Sequence, residues 1–161
     1  MKNKILIFLA FIGFIGLMTS CEKDETRVVM LENPVAPELV TVPNLTLSRT
    51  IANDTLVFTG TAVDPGFTAS VNYFLEACAT GNGFVDVAQI YSGIQVNTIK
   101  ITVSEINGIL IKKFPADQVS SVDFRIRAVL LVDEERGTDP FENVSETHTV
   151  NVNIFGLPKL D

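Results

Sequence analysis

Val122-Asp123-Phe124-Arg125-Ile126-Arg127-Ala128 alternates apolar and polar side chains without a break. Successive side chains of a β-strand point to opposite faces, so this stretch would turn one face to a core and the other to polar surroundings. The alternation therefore predicts a half-buried strand. Its core face would consist of Val122, Phe124, Ile126 and Ala128.

Runs of the same kind recur along the chain, separated by turn-forming residues such as Asp64-Pro65-Gly66. Seven or eight short β-rich runs with turns between them are typical of a β-sandwich. We therefore predict an all-β fold, an immunoglobulin-like or fibronectin III-like sandwich of about seven strands. The runs are 39–42 and 45–47 (a first pair split by Pro43-Asn44), 55–59, 71–77, 85–91, 98–103, 122–132 and 147–154. Further core positions on their inner faces are Leu56, Phe58, Val71, Tyr73, Leu75, Val150, Val152 and Ile154.

One segment departs from the strand pattern. Apolar residues recur at helical spacing between Ser104, a favourable N-cap residue, and the basic pair Lys112 and Lys113, which suits a helix C-terminus. Pro115 would stop the helix, and Gly108 inside it costs about 1 kcal/mol relative to alanine. We predict a short helix, about 104–113, that crosses between the two sheets.

The N-terminus predicts export. Lys2 and Lys4 precede an apolar run over 5–18, which is too short to span a bilayer core and fits a signal peptide over 1–20. The following residues, Thr19-Ser20-Cys21, resemble a bacterial lipobox, a resemblance that implies cleavage before Cys21 and acylation of its thiol. The partner expected for this end of the chain is the outer membrane, held through that lipid.

The residues after Cys21 bear on the side of the membrane. Glu22, Lys23, Asp24 and Glu25 resemble the acidic signal by which Bacteroidota lipoproteins reach the cell surface; a solvated charge run on a periplasmic protein is the alternative. We interpret 21–34 as an acidic tether and 35–157 as one domain.

Charge and cysteine content narrow the classes of function. Cleavage at Cys21 leaves ten basic against 19 acidic residues, a net charge of −9, which argues against nucleic acid as a partner. With Cys21 acylated, Cys78 has no internal disulfide partner. We interpret it as a small half-buried hydrophobe, with pairing between molecules or a reactive thiol as the alternatives.

A family pattern is matched in four parts of the chain: 33–39, 61–67 leading into 71–75, 101–107 and 122–128. In their order and spacing these stretches resemble the SusE-like outer membrane lipoproteins. The resemblance implies a surface lipoprotein of a polysaccharide-uptake system, with an N-terminal immunoglobulin-like domain that carbohydrate-binding modules follow. The sequence ends at Asp161, where those modules would begin, so the family's glycan contacts are expected outside it. Gly60 departs from the family pattern, in which a bulky aromatic is expected.

No catalytic signature is present. His148 is the single histidine, and the sequence contains no Gly-x-Ser-x-Gly, His-Glu-x-x-His or phosphate loop. Catalysis needs a nucleophile or acid with a positioned partner. We therefore expect no enzyme activity, no cofactor and no metal, although the acidic loop 133–142 leaves calcium open.

Loop aromatics are the main candidates for a binding site. Phe67 and Phe141 lie in loops that a sandwich would bring to one end, with Asp64 and Asp139 beside them. These residues would contact a glycan or a partner protein, or else the two rings would close the core. Thr55, in Asp54-Thr55-Leu56, resembles the O-glycosylation site of exported Bacteroidota proteins.

The leading interpretation is a non-enzymatic surface lipoprotein that acts as spacer or docking module in a glycan-uptake system. One alternative is direct glycan binding through the loop aromatics. The other is a surface adhesin or assembly subunit unrelated to glycan uptake.

Overall fold

Two antiparallel sheets form the framework of the residues that the computed structural model describes, which are 31–131 and 141–156. The smaller sheet has the strand order β1-β2-β5, and the larger has β4-β3-β6 with both β7 and β8 paired to β6. The predicted all-β sandwich is confirmed. The strands are β1 (Glu38–Thr41), β2 (Thr55–Thr61), β3 (Val71–Ala79), β4 (Ala88–Gly93), β5 (Ile99–Thr102), β6 (Val119–Leu130), β7 (Glu142–Val144) and β8 (His148–Asn153).

Strand β6 contains the alternating stretch and occupies the middle of the larger sheet. It pairs with β3 from Val71 opposite Leu130 to Ala79 opposite Val122. The four residues predicted to face the core are completely buried. Phe124, one of them, meets Phe58 of β2 across the sandwich with ring centroids 6.0 Å apart, a favourable spacing for an aromatic pair. Of the other predicted core residues, Tyr73, Leu75, Val152 and Ile154 are buried, whereas Leu56, Val71 and Val150 are half-buried.

Helix α1 (Val103–Leu110) connects β5 of the smaller sheet to β6 of the larger, as predicted. The predicted N-cap, Ser104, is wrong: the cap is Thr102. Its Oγ1 accepts a hydrogen bond from the Glu105 N–H at 3.2 Å, and Glu105 Oε2 accepts one from the Thr102 N–H at 2.8 Å. This reciprocal capping box satisfies two free N–H groups, so it starts the helix earlier than Ser104 alone would.

The C-terminal end of the helix also differs from the prediction. The helix ends at Leu110 and has no basic residue in its last turn. Lys113, expected to stabilise that end, forms an ion pair with Asp86 instead.

The segment 45–47, predicted as the second of the first two runs, pairs with the last strand. Thr46 forms a parallel bridge to Asn153 of β8, and the Asn153 N–H and C=O bond to Leu45 and Leu47 at 3.0 and 2.8 Å. Pro43 and Asn44 therefore carry the chain from one sheet to the other. Proline cannot donate to a strand ladder, which favours a break at this point.

Two predicted boundaries also shift. Strand β4 begins at Ala88, because the Asn82 side chain accepts hydrogen bonds from the N–H groups of Val85 and Asp86 and holds them in a turn. At the other end of the sheet, Glu142 belongs to β7 and not to a loop.

The ends of the sandwich are distinguished by where the described chain begins and ends. Leu31 donates a backbone hydrogen bond to Pro65 at one end, and Ile154 accepts one from Asp117 at the other. Strand β6 has 12 residues, which at about 3.3 Å each gives a length of roughly 40 Å. We call the first end the N-terminal pole, formed by 31–37, 62–70 and 94–97 with Leu131 and Phe141. The opposite end, with 80–87, 117–118 and 154–156, is the C-terminal pole.

Gly60 explains how the core differs from the expected family pattern. A Cβ at this position would lie 2.6 Å from the carbonyl oxygen of Glu38 and would collide with Cδ1 of Ile126. Strand β1 and the Ile126 side chain therefore occupy the space that a bulky aromatic would need.

We expect Gly60→Ala to lower the free energy of unfolding by roughly 1–3 kcal/mol, because the added methyl group overpacks this contact. Gly108→Ala is the matched control. Gly108 is exposed in α1 with nothing within 4 Å of an added Cβ, so alanine should raise the unfolding free energy by about 0.5–1 kcal/mol. Urea unfolding of both variants measures the difference, and equal effects at the two sites would contradict the packing account.

Candidate functional site: a groove at the N-terminal pole

The first wall of the groove is the connection 62–70 between β2 and β3. The backbones of Val35 and Asp64 exchange two hydrogen bonds, at 2.9 and 3.0 Å. Asp64 Oδ1 accepts a further one from the Gly66 N–H at 2.8 Å. Gly66 has φ +83°, which glycine adopts without steric cost. The Asp-Pro-Gly sequence thus produces a defined turn.

The second wall is the connection 94–97 between β4 and β5. The carbonyl of Val96 accepts a hydrogen bond from the Gly60 N–H at 3.1 Å, and the Tyr91 hydroxyl accepts one from the Gln95 N–H at 3.3 Å. Ile94 projects from this wall and is 74% exposed. A backbone bond to β2 and a side-chain bond to Tyr91 of β4 thus fix this wall as well.

Tyr73 lies between the two walls and is buried. Burial raises the pKa of its phenol, although a backbone hydrogen bond at Val63 opposes the shift. The groove has two adjoining lobes of about 450 and 340 Å³. The first is lined by 62–65 and 67–71 and the second by 95–97, while Ala62, Tyr73 and Ile94 line both.

Only some of the binding residues predicted from the sequence line the groove. Phe67 and Asp64 line the groove, and Phe67 also packs against the core. Phe141 lies at the same pole, where its carbonyl accepts a hydrogen bond from Leu130, but it does not line the groove and is 48% exposed. Asp139 lies outside the described residues.

A cluster of charged and aromatic side chains lies on the outer face of the larger sheet. The sequence pattern did not predict it. Glu76 is 3% exposed and accepts hydrogen bonds from Arg125 Nε at 3.0 Å and Arg127 Nε at 2.7 Å. The two guanidinium groups stack on Phe84 and Phe74, 4.0 and 4.2 Å from the ring centroids. Glu76 and Arg125 are direct partners on β3 and β6, so only the strand register reveals the cluster. Its groups satisfy one another, which indicates a structural role.

Asp123 and Cys78 face each other further along the same two strands. The carboxylate of Asp123 accepts hydrogen bonds from Thr149 at 2.6 Å, Thr80 at 3.1 Å and the Gly81 N–H at 3.3 Å. The bond from Thr149, with smaller contributions from Gly81 and Thr80, lowers the pKa of Asp123. Cys78 is 1% exposed, and burial raises the pKa of its thiol, which makes it a poor nucleophile.

The comparison with protein families gives one match. The profile of the SusE outer membrane protein family matches residues 23–127, well over half of the chain. The protein belongs to the SusE family. No curated protein and no solved structure is significantly similar to it.

Membership of the SusE family associates the chain with the outer membrane and with a starch-utilisation-like polysaccharide uptake system. SusE proteins are surface binding and accessory proteins. Within 31–131 and 141–156 there is no cluster of three potential metal ligands. In the same ranges no helix is long and apolar enough to cross a membrane.

The remaining candidates of this SusE-family chain are not brought to the groove. His148 begins β8 opposite Phe124, and Thr55 is exposed at the start of β2 opposite Thr102. O-glycosylation of Thr55 stays a prediction. Most of the acidic loop 133–142, together with Cys21 and residues 22–25, lies outside the described ranges.

The two loop phenylalanines are expected to respond differently to substitution. Phe67→Ser should lower the free energy of unfolding by about 2 kcal/mol, because it removes a partly buried ring from the core edge. Phe141→Ser should change it by less than about 0.5 kcal/mol.

Thermal unfolding of both variants gives the comparison, and a glycan array run on the same samples tests the alternative of direct glycan binding. Glycan binding that either substitution abolishes at unchanged melting temperature would contradict a purely structural role for the ring concerned.

Proposed function

We propose that the mature protein is a non-enzymatic, lipid-anchored protein of the cell surface that serves an outer-membrane polysaccharide uptake system as spacer or docking module. Its anchor would be the acylated thiol of Cys21, and residues 22–25 would direct it to the outer face. Membership of the SusE family supports the outer-membrane setting.

The observation that carries the spacer role is the separation of the two poles. The described chain begins at Leu31 at one pole and ends at Gly156 at the other, and β6 runs between the poles for 12 residues. A lipid at Cys21 would hold the N-terminal pole near the membrane. Whatever the C-terminal pole carries or contacts would then be held roughly 40 Å further out.

The packing of the sandwich supports a docking role over a buried ligand site. The space between the sheets is filled by apolar side chains, with Phe58, Leu75, Phe124 and Ile126 completely buried. A filled sandwich leaves its loops and outer faces as the surfaces on which partners bind.

The anchor is tested by Cys21→Ala. We expect the variant to remain uncut or to appear in the soluble fraction, because no other thiol lies near the apolar run of 5–18 and stable anchoring takes two or more acyl chains. Cell fractionation with an alkaline wash measures this, with Cys78→Ala as the matched control that should stay with the membranes. If Cys21→Ala partitions with washed membranes as a processed form, the lipoprotein proposal is wrong.

The orientation is tested by changing Lys23, Asp24 and Glu25 together to alanine. This variant should remain in the outer membrane and become protected from protease added to intact cells, since its export signal would be lost. Changing Glu32 and Glu38 to alanine removes acidic charge beyond the signal and should leave protease sensitivity unaltered. Unchanged sensitivity of the triple variant would exclude residues 23–25 as the export signal.

A further inference from the structure

The groove at the N-terminal pole has no role in the spacer function proposed above, although both of its walls are held in place. The 62–70 wall is fixed to Val35 at one end and, through a 2.8 Å bond between the Leu131 N–H and the Ser70 carbonyl, to the end of β6 at the other. The 94–97 wall is held by Gly60. A groove formed before binding avoids the cost of ordering its loops.

We propose that this groove docks an extended apolar segment carrying a basic residue, presented by an extracellular loop of a membrane-embedded protein of the uptake system. This inference rests on the proposed function and adds to it the kind of partner and the surface that receives it.

The shape and lining of the groove favour an extended apolar occupant. Its two lobes adjoin at Tyr73, so a bound chain can continue from one lobe into the other. Phe67 and Ile94 provide apolar surface on opposite walls, and Ile94 is 74% exposed. Exposed apolar side chains around a preformed groove are typical of a protein interaction site.

The charge of the pole favours a basic residue in the occupant and disfavours an anionic lipid surface. Glu32, Glu38 and Asp64 are exposed at this pole, and among the residues of 31–131 and 141–156 no lysine or arginine lines either lobe. Arg127, further along the larger sheet, is paired with Glu76 and Glu142. A basic group on the partner would therefore meet acidic side chains at this pole, which raises the association rate and disfavours wrong partners.

The length of chain before Leu31 favours a partner in the membrane. Nine residues, 22–30, lie between Cys21 and Leu31, and the ten residue steps from one to the other span at most about 35 Å when fully extended. With Cys21 in the lipid, the groove stays within that distance of the membrane surface. Extracellular loops of an embedded protein occupy this zone, and tethering raises their effective concentration at the groove.

Site-specific photocrosslinking in cells tests the inference on the full-length lipoprotein. A benzophenone amino acid replaces Ile94 in one variant and Val85 in the other. Val85 is the matched control, because it is 87% exposed and precedes β4 at the C-terminal pole, whereas Ile94 follows β4 in the groove. We expect position 94, and not position 85, to crosslink to an integral outer-membrane protein, with the crosslinked peptide in one of its extracellular loops.

A charge variant sharpens the test. Asp64→Asn keeps an oxygen that can accept the hydrogen bond from Gly66 and removes the negative charge. It should lower the crosslink yield at position 94 by about twofold to fivefold, the effect of a single exposed charge pair. Asp117→Asn, an exposed position at the C-terminal pole, should leave the yield unchanged.

Each variant is first assayed for membrane partition and protease accessibility, so that the two proposals fail separately. If the unsubstituted chain does not partition with membranes, or is not accessible to protease added to intact cells, the proposed function is overturned and this inference with it. Normal anchoring overturns the docking inference alone if position 94 crosslinks to a second copy of the chain, to lipid or to polysaccharide only. Equal yields at positions 94 and 85, no crosslink at position 94, or a yield unaffected by Asp64→Asn also overturn it.

Discussion

The pairing of β3 with β6 is the constraint on which the rest of the structure depends. Its register places Leu75 opposite Ile126 on the core side and Glu76 opposite Arg125 on the outer side. A slip of one residue would turn the charged side chains into the core and the apolar ones outward. The buried carboxylate of Glu76 excludes that slip, because only the native register gives it two arginine partners.

This register also positions the ends of the sandwich. Since Val71 lies opposite Leu130, the loop before β3 and the end of β6 lie at the same pole. Leu31 is bonded to Pro65 at this pole as well. The groove is thus a consequence of strand pairing, and its walls come from connections that are distant in sequence.

Much of the sandwich follows from local sequence, and the errors have physical causes. The alternation along 122–128 predicts the central strand and its core face, because side-chain direction is a local property. The N-cap differs from the predicted Ser104, because the sequence Thr102-x-x-Glu105 forms a capping box whose two hydrogen bonds fix the start of the helix. The placement of 45–47 was not predictable in this way, because a parallel bridge to Asn153 depends on how the two sheets come together.

The candidate site was less accessible from sequence than the fold. Phe67 and Phe141 are both loop aromatics, and nothing local distinguishes the ring that packs against the core from the exposed one. Ile94 gave no signal, because a single apolar residue after a strand predicts neither exposure nor a groove. Glu76 likewise becomes informative only once its arginine partners are known.

The bridge between Thr46 and Asn153 has a mechanical consequence. It joins the first part of the domain to the last strand in parallel orientation, and the two ends of the described chain leave at opposite poles. Tension between an anchored N-terminus and a loaded C-terminal pole would act along these paired segments, so their hydrogen bonds would have to break in shear and together. Resistance to forced unfolding depends on the unfolding rate under load, not on equilibrium stability. A protein at a cell surface exposed to flow and to polymer chains under tension would thereby be protected where the pull is applied.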